Sequence, residues 1–198
     1  MASLALQFRV ADPADAPQIQ HLVESAFRAS DPRQDWTGNA ELASHFRLAV
    51  DEVQSKLINP DVVTLVAHDA GDPAALVASI EVSKRDGAGR LSMIAVDTSH
   101  QQGGVGRRVL EHAEGYCRRA WGVDKFSLNA LSTRRALIEW YMRRGYEKTG
   151  ETSRFPAERF PELRLPEDIC FVELEKSLCD GPWAAPAVNS LQGPCETA

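Results

Sequence analysis

The stretch HQQGGVGRRVLEHAE, residues 100–114, decides the fold of this chain. Three of the seven residues from Gln101 to Arg107 are glycine, and an apolar pattern typical of a helix follows at once. A glycine inside a helix costs about 1 kcal/mol relative to alanine. Glycines at the start of a helix therefore indicate either a backbone turn that other residues rarely adopt or a ligand that lies against the backbone.

The residues on both sides of the glycines support an anion site. RLSMIAVD, residues 90–97, reads as a strand, and the apolar residues after the glycines recur at helical spacing: Val105, Val109, Ala113 and Cys117. A strand that runs through a glycine turn into a helix presents free N–H groups and the positive end of the helix dipole. A phosphate group fits such a place, and a merely tight turn is the plain alternative.

Two common phosphate ligands fit this stretch poorly. A nucleoside triphosphate loop needs Gly-Lys-Ser/Thr, whereas Gly106 is followed by Arg107 and Arg108. A dinucleotide fold needs a third glycine where Val109 stands, and its motif usually opens the domain. Coenzyme A is the third candidate.

Composition and charge exclude several classes of protein. The 198 residues carry a net charge of -6, which argues against a nucleic-acid binder with a basic face. No apolar run reaches the ~20 residues of a membrane span, and the N-terminus lacks a secretory pattern. The four cysteines form no CxxC pair, so we predict free thiols, no metal site and a cytoplasmic protein.

The order of the predicted elements indicates a mixed α/β sheet. It runs strand, two helices, three strands, helix, strand, helix and two strands, and residues 41–59 are predicted to form one helix. The crossover through the glycine stretch favours a parallel strand pair, and the flanking hairpins are antiparallel. We predict one domain over residues 1–178 and a flexible tail over residues 179–198.

Two motifs resemble those of the GNAT family, the Gcn5-related N-acetyltransferases. The first is Ile94-Ala95-Val96, a short loop, and then Gln101-Gln102-Gly103-Gly104-Val105-Gly106. The second is a helix that ends in Tyr141-Met142-Arg143-Arg144-Gly145-Tyr146. The resemblance covers roughly residues 6–176. It implies a mostly antiparallel sheet of about seven strands, with a splayed central parallel pair and helices on both faces.

The resemblance also implies acetyl-CoA as cosubstrate, with its pyrophosphate on the glycine stretch. Val96 would turn its N–H group toward the acetyl oxygen. Arg134 stands where the family often has an asparagine that binds pantetheine, and Asn129 or Ser132 could substitute for it. The coenzyme-binding residues so implied are Ile94, Ala95, Val96, Gln101, Gln102, Gly103, Gly104, Val105, Gly106, Arg107, Asn129 and Arg134.

Two residues are predicted to do the acid–base chemistry. Tyr141, in the second family motif, would protonate the leaving thiolate, and the alternative is an aromatic core anchor at helical spacing from Leu137. The strand before the glycines lacks the glutamate of well-known members. Glu81 is therefore the candidate base, directly or through water, and the alternative is an ordinary exposed strand residue.

The acceptor is expected to be a primary amine of a small molecule or peptide. Residues 30–39 and 152–167 are predicted to border its pocket, with Trp36 and Phe155 as apolar walls, unless both are merely solvated surface loops. A non-catalytic acyl-CoA binding module is the rival function, and a dehydrogenase is the third choice. We expect a monomer or homodimer that binds neither nucleic acid nor membrane.

Overall fold

The computed structural model describes residues 5–31, 33, 35–101 and 103–178. Across that part of the chain, seven strands and five α-helices form. The strands are β1 Leu6–Val10, β2 Val62–Asp69, β3 Asp72–Arg85, β4 Ala88–Val96, β5 Lys125–Leu131, β6 Glu147–Arg154 and β7 Cys170–Ser177. The helices are α1 Ala16–Arg28, α2 Ala40–Ser44, α3 Val50–Leu57, α4 Val105–Trp121 and α5 Arg135–Met142.

The strands make one mixed sheet in the order β1-β2-β3-β4-β5-β7-β6. Every neighbouring pair is antiparallel except β4 and β5, which run parallel on either side of the α4 crossover. The predicted mixed sheet with one central parallel pair is therefore confirmed. The predicted tail, residues 179–198, lies outside the described residues.

Helices cover both faces of this sheet. On one face, α4 and α5 bury their apolar sides against the inner residues of β3, β4 and β5 in the largest core cluster. On the other face, α1 and α3 pack over β2, β3 and β4 in a second cluster. None of the helices in the described ranges is both long and apolar enough to cross a membrane.

The prediction of one helix over residues 41–59 is wrong, because the chain leaves the helical path after α2. Asn39 caps α2, and Glu52 accepts a hydrogen bond from the Ala49 N–H group at the start of α3. Between the two helices, Phe46 turns inward and stacks on Phe27 of α1, with 4.6 Å between the ring centroids. Packing against α1 outweighs the helical propensity of this segment.

The parallel pair separates soon after it forms, as the resemblance implied. β4 and β5 pair only at Gly89–Phe126 and Arg90–Ser127. The register between β3 and β4 also shifts between Ser79 and Glu81. Opposite this shift Met93 has a φ of +49°, which a residue with a side chain rarely adopts. The bulge leaves the second half of β4 beside a gap that opens toward the N-terminus of α4.

Candidate active site

Helix α4 begins at a glycine whose backbone only glycine adopts readily. Gly104 has a φ of +74°, and a Cβ atom there would meet no described residue outside its own stretch of chain within 4 Å. The first backbone bond of the helix runs from the Arg108 N–H group to the Gly104 carbonyl, over 3.2 Å. The N–H groups of Val105, Gly106 and Arg107 donate to no described residue. They form an open cluster of donors at the positive end of the helix dipole.

The other glycines of the stretch have different surroundings. Among the described residues, a Cβ atom on Gly103 would have only the His100 carbonyl within 4 Å, at 3.9 Å, so this side of Gly103 is open. A Cβ atom on Gly106 would lie 3.5 Å from the ring of Trp140, an ordinary contact distance. Gln101 donates to the Val96 carbonyl over 3.3 Å and so ties the loop to the end of β4. Gln102 lies outside the described residues.

The end of β4 leads directly to this loop. Ala95 and Val96 pair with Ser79 and Ala78 of β3, and in this register the N–H and carbonyl groups of Val96 point away from β3, toward the gap beside β5. Ala95 is buried in the cluster under α1, while Ile94 and Val96 are half-buried. The predicted main-chain contacts Ile94, Ala95 and Val96 therefore line one side of the split. Backbone groups without a strand partner are what an extended ligand would need there.

Tyr141 lies on α5 and is buried at 6% exposure. Its ring meets those of Trp140 and Tyr146 edge-on, with centroids 5.1 and 5.9 Å away. Burial raises the pKa of Tyr141 to about 12, and the positive charge of Arg134 partly opposes the rise. The hydroxyl group stays protonated at neutral pH, as a proton donor must, and the ring also has the contacts of a core anchor.

The candidates for a pantetheine contact turn toward other partners. The Arg134 Nε atom donates to the Trp36 carbonyl over 2.9 Å. The Asn129 side-chain amide donates to the Glu173 carboxylate over 3.0 Å. The Ser132 hydroxyl oxygen accepts from the Cys170 N–H group over 3.3 Å.

The predicted base, Glu81, is engaged in an ion pair. Both of its carboxylate oxygens accept from the Lys56 ammonium group, at 2.9 and 3.0 Å. Ser92 on β4 lies within 3.5 Å of the same carboxylate. Because Lys56 belongs to α3, Glu81 faces the helices α1 and α3 and not α4. The Glu81 side chain is 14% exposed, so solvent screens this ion pair only in part.

Sequence reasoning missed a second carboxylate, Glu173 on β7. It accepts from Arg90 on β4 over 2.7 Å, from Asn129 on β5 and from Ser153 on β6. The three donors hold the pKa of Glu173 below its ordinary value although burial opposes them. The alternating pattern of ICFVELEKS places Glu173 on one face of a strand, but its partner Arg90 is 83 residues away. The pairing depends on strand order, which the sequence pattern does not specify.

The two predicted acceptor residues lie in different surroundings. Trp36 meets Trp140 edge-on at a centroid distance of 6.2 Å, and the Arg33 guanidinium lies 3.4 Å above the Trp36 ring. Phe155 is buried in a third apolar cluster, between Phe160 and Phe171. Trp36 is therefore adjacent to the helix that carries Tyr141. Phe155 instead packs in the apolar interior beneath the second predicted acceptor loop, residues 152–167.

A cleft of about 320 Å³ runs beside α4 toward the end of α5. Arg107, Arg143, Arg144 and Lys176 contribute positive charge to its walls. Burial lowers the pKa of Arg144, and the neighbouring cations Arg143 and Arg107 lower it further. Glu111 and Glu114 also line the cleft, and Glu114 pairs with Lys176 over 2.7 Å. The arginine end of the cleft begins at the first turn of α4.

Comparison with known proteins places these features in a family. A sequence model of the acetyltransferase (GNAT) family matches residues 19–146. Hundreds of chains in solved structures match this one. A search of curated proteins gave no match.

Three of the similar structures show how far the likeness extends. The Escherichia coli ribosomal-protein-S18-alanine N-acetyltransferase is 16% identical with a TM-score of 0.64, over 92% of this chain and 99% of that one. A putative GNAT acetyltransferase from Desulfovibrio desulfuricans is 18% identical with a TM-score of 0.63, over 87% and 99%. One from Streptococcus pneumoniae is 16% identical with a TM-score of 0.61, over 87% and 99%. At these identities the structures share the fold.

Proposed function

Because the chain belongs to the GNAT acetyltransferase family, we propose that it moves the acetyl group of acetyl-CoA to a primary amine of a small molecule or peptide. The amine attacks the thioester directly in a ternary complex, with no covalent enzyme intermediate. One observation carries the proposal most strongly. The donor cluster of Val105, Gly106 and Arg107 lies at the open end of the β4–β5 split, and α5 brings Tyr141 to the same core.

The residues at the head of α4 fit the pyrophosphate of acetyl-CoA. Three N–H groups without a partner among the described residues and the helix dipole attract an anion, and the open sides of Gly103 and Gly104 allow close approach. The split between β4 and β5 offers the backbone of Ile94 and the N–H group of Val96, which have no strand partner on that side among the described residues, to an extended pantetheine arm. The arginines of the adjacent cleft, Arg107 first, supply charge for the nucleotide end.

Tyr141 is the proposed acid for the departing thiolate. A phenol with a pKa of about 12 is a weak proton donor to a thiolate in water, because the corresponding thiol has a pKa near ~8.5. The mismatch shrinks in a dry pocket, because burial raises the pKa of a thiol as well. Cys117 of this chain illustrates the effect, since burial raises its pKa to about 12. Burial of both groups therefore reduces the difference between their pKa values.

Glu81 is the proposed base, acting through water. The attacking amine must lose a proton, and Glu81 is a partly buried carboxylate on the strand next to β4. The Lys56 ammonium group occupies both carboxylate oxygens, so this role requires the ion pair to loosen when an acceptor binds. Replacing Lys56 by methionine then raises the rate by freeing the carboxylate, whereas Glu81→Gln lowers it.

A turnover screen tests the proposed function. Acetyl-CoA is offered with panels of small amines, polyamines and peptides, and release of the free thiol is measured. We expect turnover with at least one amine and a loss of about 100-fold or more in kcat for Tyr141→Phe. Tight binding of acetyl-CoA with no turnover on any amine favours a binding module instead.

A further inference from the structure

The side chain at position 134 has a different partner from the one its place in the family motif implies. The residue precedes α5, where an asparagine would reach pantetheine. In this chain the Arg134 Nε atom donates to the main-chain carbonyl of Trp36 over 2.9 Å. The bond joins residues 98 positions apart, and Arg134 is half-buried. The guanidinium therefore reaches the loop between α1 and α2, whose described residues 35–39 we call the acceptor loop.

Three further contacts hold the acceptor loop on the start of α5. The Ala136 N–H group, a donor in the first turn of α5, donates to the Asp35 carbonyl over 3.2 Å. Trp36 meets Trp140 edge-on. Gly38, at a φ of +77°, lies so close that a Cβ atom would come within 2.7 Å of the Thr133 hydroxyl oxygen. The loop thus caps the helix that carries Tyr141.

Arg134 is the residue before α5, and Tyr141 lies in that helix about two turns further along the chain. The charge of Arg134 interacts with Tyr141 and with Asp31, which precedes the acceptor loop. Burial lowers the pKa of Arg134, and these two neighbours oppose that effect. A half-buried guanidinium that loses its carbonyl partner is left with an unsatisfied donor, which costs stability. The arrangement therefore favours the observed position of the loop on the start of α5.

We propose that Arg134 is a positioning residue for the acceptor, because it fixes the acceptor loop on α5 and sets Trp36 beside Trp140, whose ring in turn meets that of Tyr141. The coenzyme is then held by the head of α4 and the split strands, without Arg134. This effect on the acceptor rests on the proposed acetyl transfer. The effect on the loop does not, because it follows from the contacts of the free protein.

Amide hydrogen exchange on the free protein tests the loop contact directly. The variants are Arg134→Lys, which keeps the charge but lacks the Nε donor, and Arg134→Gln. The matched control is Arg135→Gln, at the exposed next residue. We expect the Ala136 amide to exchange at least about tenfold faster in both Arg134 variants, because its partner loop is released. The control keeps the exchange rate of the parent protein.

Binding and kinetics then separate the two roles of position 134. We expect the Kd for acetyl-CoA to stay within about twofold in the Arg134 variants, while KM for the acceptor amine rises at least about tenfold. A tenfold weaker Kd for acetyl-CoA together with unchanged exchange at Ala136 would overturn the proposal and return Arg134 to the pantetheine site. Unchanged exchange alone, in a folded Arg134→Lys protein, would also overturn it.

Failure of the proposed function gives a different result. If the parent protein neither binds acetyl-CoA nor acetylates any amine, the proposed transfer is wrong. The exchange of Ala136 still decides whether Arg134 holds the acceptor loop. Should Arg134→Gln fail to fold, Arg134→Lys decides the question, since it keeps the charge at position 134 and removes the Nε donor.

Discussion

Individual residues divide the predicted site into a backbone part and a side-chain part. The sequence predicts that Gly104 allows a ligand to approach closely. Its φ of +74° is a second reason for glycine, because a residue with a side chain rarely adopts this backbone conformation. Both follow from a glycine at the head of a helix, which is why the sequence alone could indicate them. The partners of Arg134 and Glu173 could not be predicted, because each is a contact between distant segments.

Replacing Tyr141 by phenylalanine removes the hydroxyl group and keeps the buried ring. We expect kcat to fall by about 100- to 10,000-fold while the KM for acetyl-CoA changes little, because a proton given in the transition state is lost. Since burial raises the pKa of Tyr141 to about 12, the parent kcat should show no loss from this group as the pH rises to 10. Steady-state kinetics across pH check both points, and an unchanged kcat with rate-limiting chemistry would make Tyr141 a core anchor.

Elements of the chain were predictable where periodicity and turn chemistry agree. Asp86-Gly87, both at positive φ, forms the expected tight turn between β3 and β4. The sequence predicts one helix in place of α2 and α3, because residues 45–49 have ordinary helical propensity. What separates them is the stacking of Phe46 on Phe27, a tertiary contact. The strand β6 carries exposed residues throughout, so its position at the edge of the sheet follows from pairing with β7 alone.

At the scale of elements, truncating a side chain should have different effects in the acceptor loop and in the loop of residues 152–167. Trp36→Ala removes a ring that lies beside α5, so we expect a higher KM for the amine and an unchanged Kd for acetyl-CoA. Phe155→Ala empties a buried position, and we expect a loss of about 3 kcal/mol or more in unfolding free energy. Chemical denaturation and acceptor kinetics on both variants distinguish the roles. Weaker coenzyme binding with normal amine kinetics would place Trp36 at the coenzyme.

The whole molecule is held across its central split by a polar network. Arg90, Asn129 and Ser153 converge on Glu173, so one carboxylate joins β4, β5, β6 and β7. The strands β4 and β5 share only two paired positions in the sheet. The network therefore connects β4 and β5 where the backbone hydrogen bonds between them are interrupted. It leaves the part of the split near the N-terminus of α4 free for a ligand.

Glu173→Gln should destabilise the protein at neutral pH and much less in acid. The donors around Glu173 lower its pKa in the folded state, so its stabilisation is present above the ordinary glutamate pKa near ~4.3. It is lost as the pH falls through the lower, folded pKa. We expect about 1–3 kcal/mol between parent and variant at pH 7, shrinking toward pH 3. Urea denaturation of both proteins across pH measures this, and a difference independent of pH would contradict it.

The central claim is that acetyl-CoA binds at the head of α4, and calorimetric titration of three proteins tests it most directly. The parent chain is compared with Gly104→Val and with Gly87→Val, which places the same residue at a similar φ of +77° in the distant β3–β4 turn. Both variants carry the same kind of backbone strain, so a similar loss of Tm is expected in each. We predict that the parent and Gly87→Val bind acetyl-CoA alike and that Gly104→Val binds at least about tenfold more weakly. Normal binding by a folded Gly104→Val protein would contradict the account.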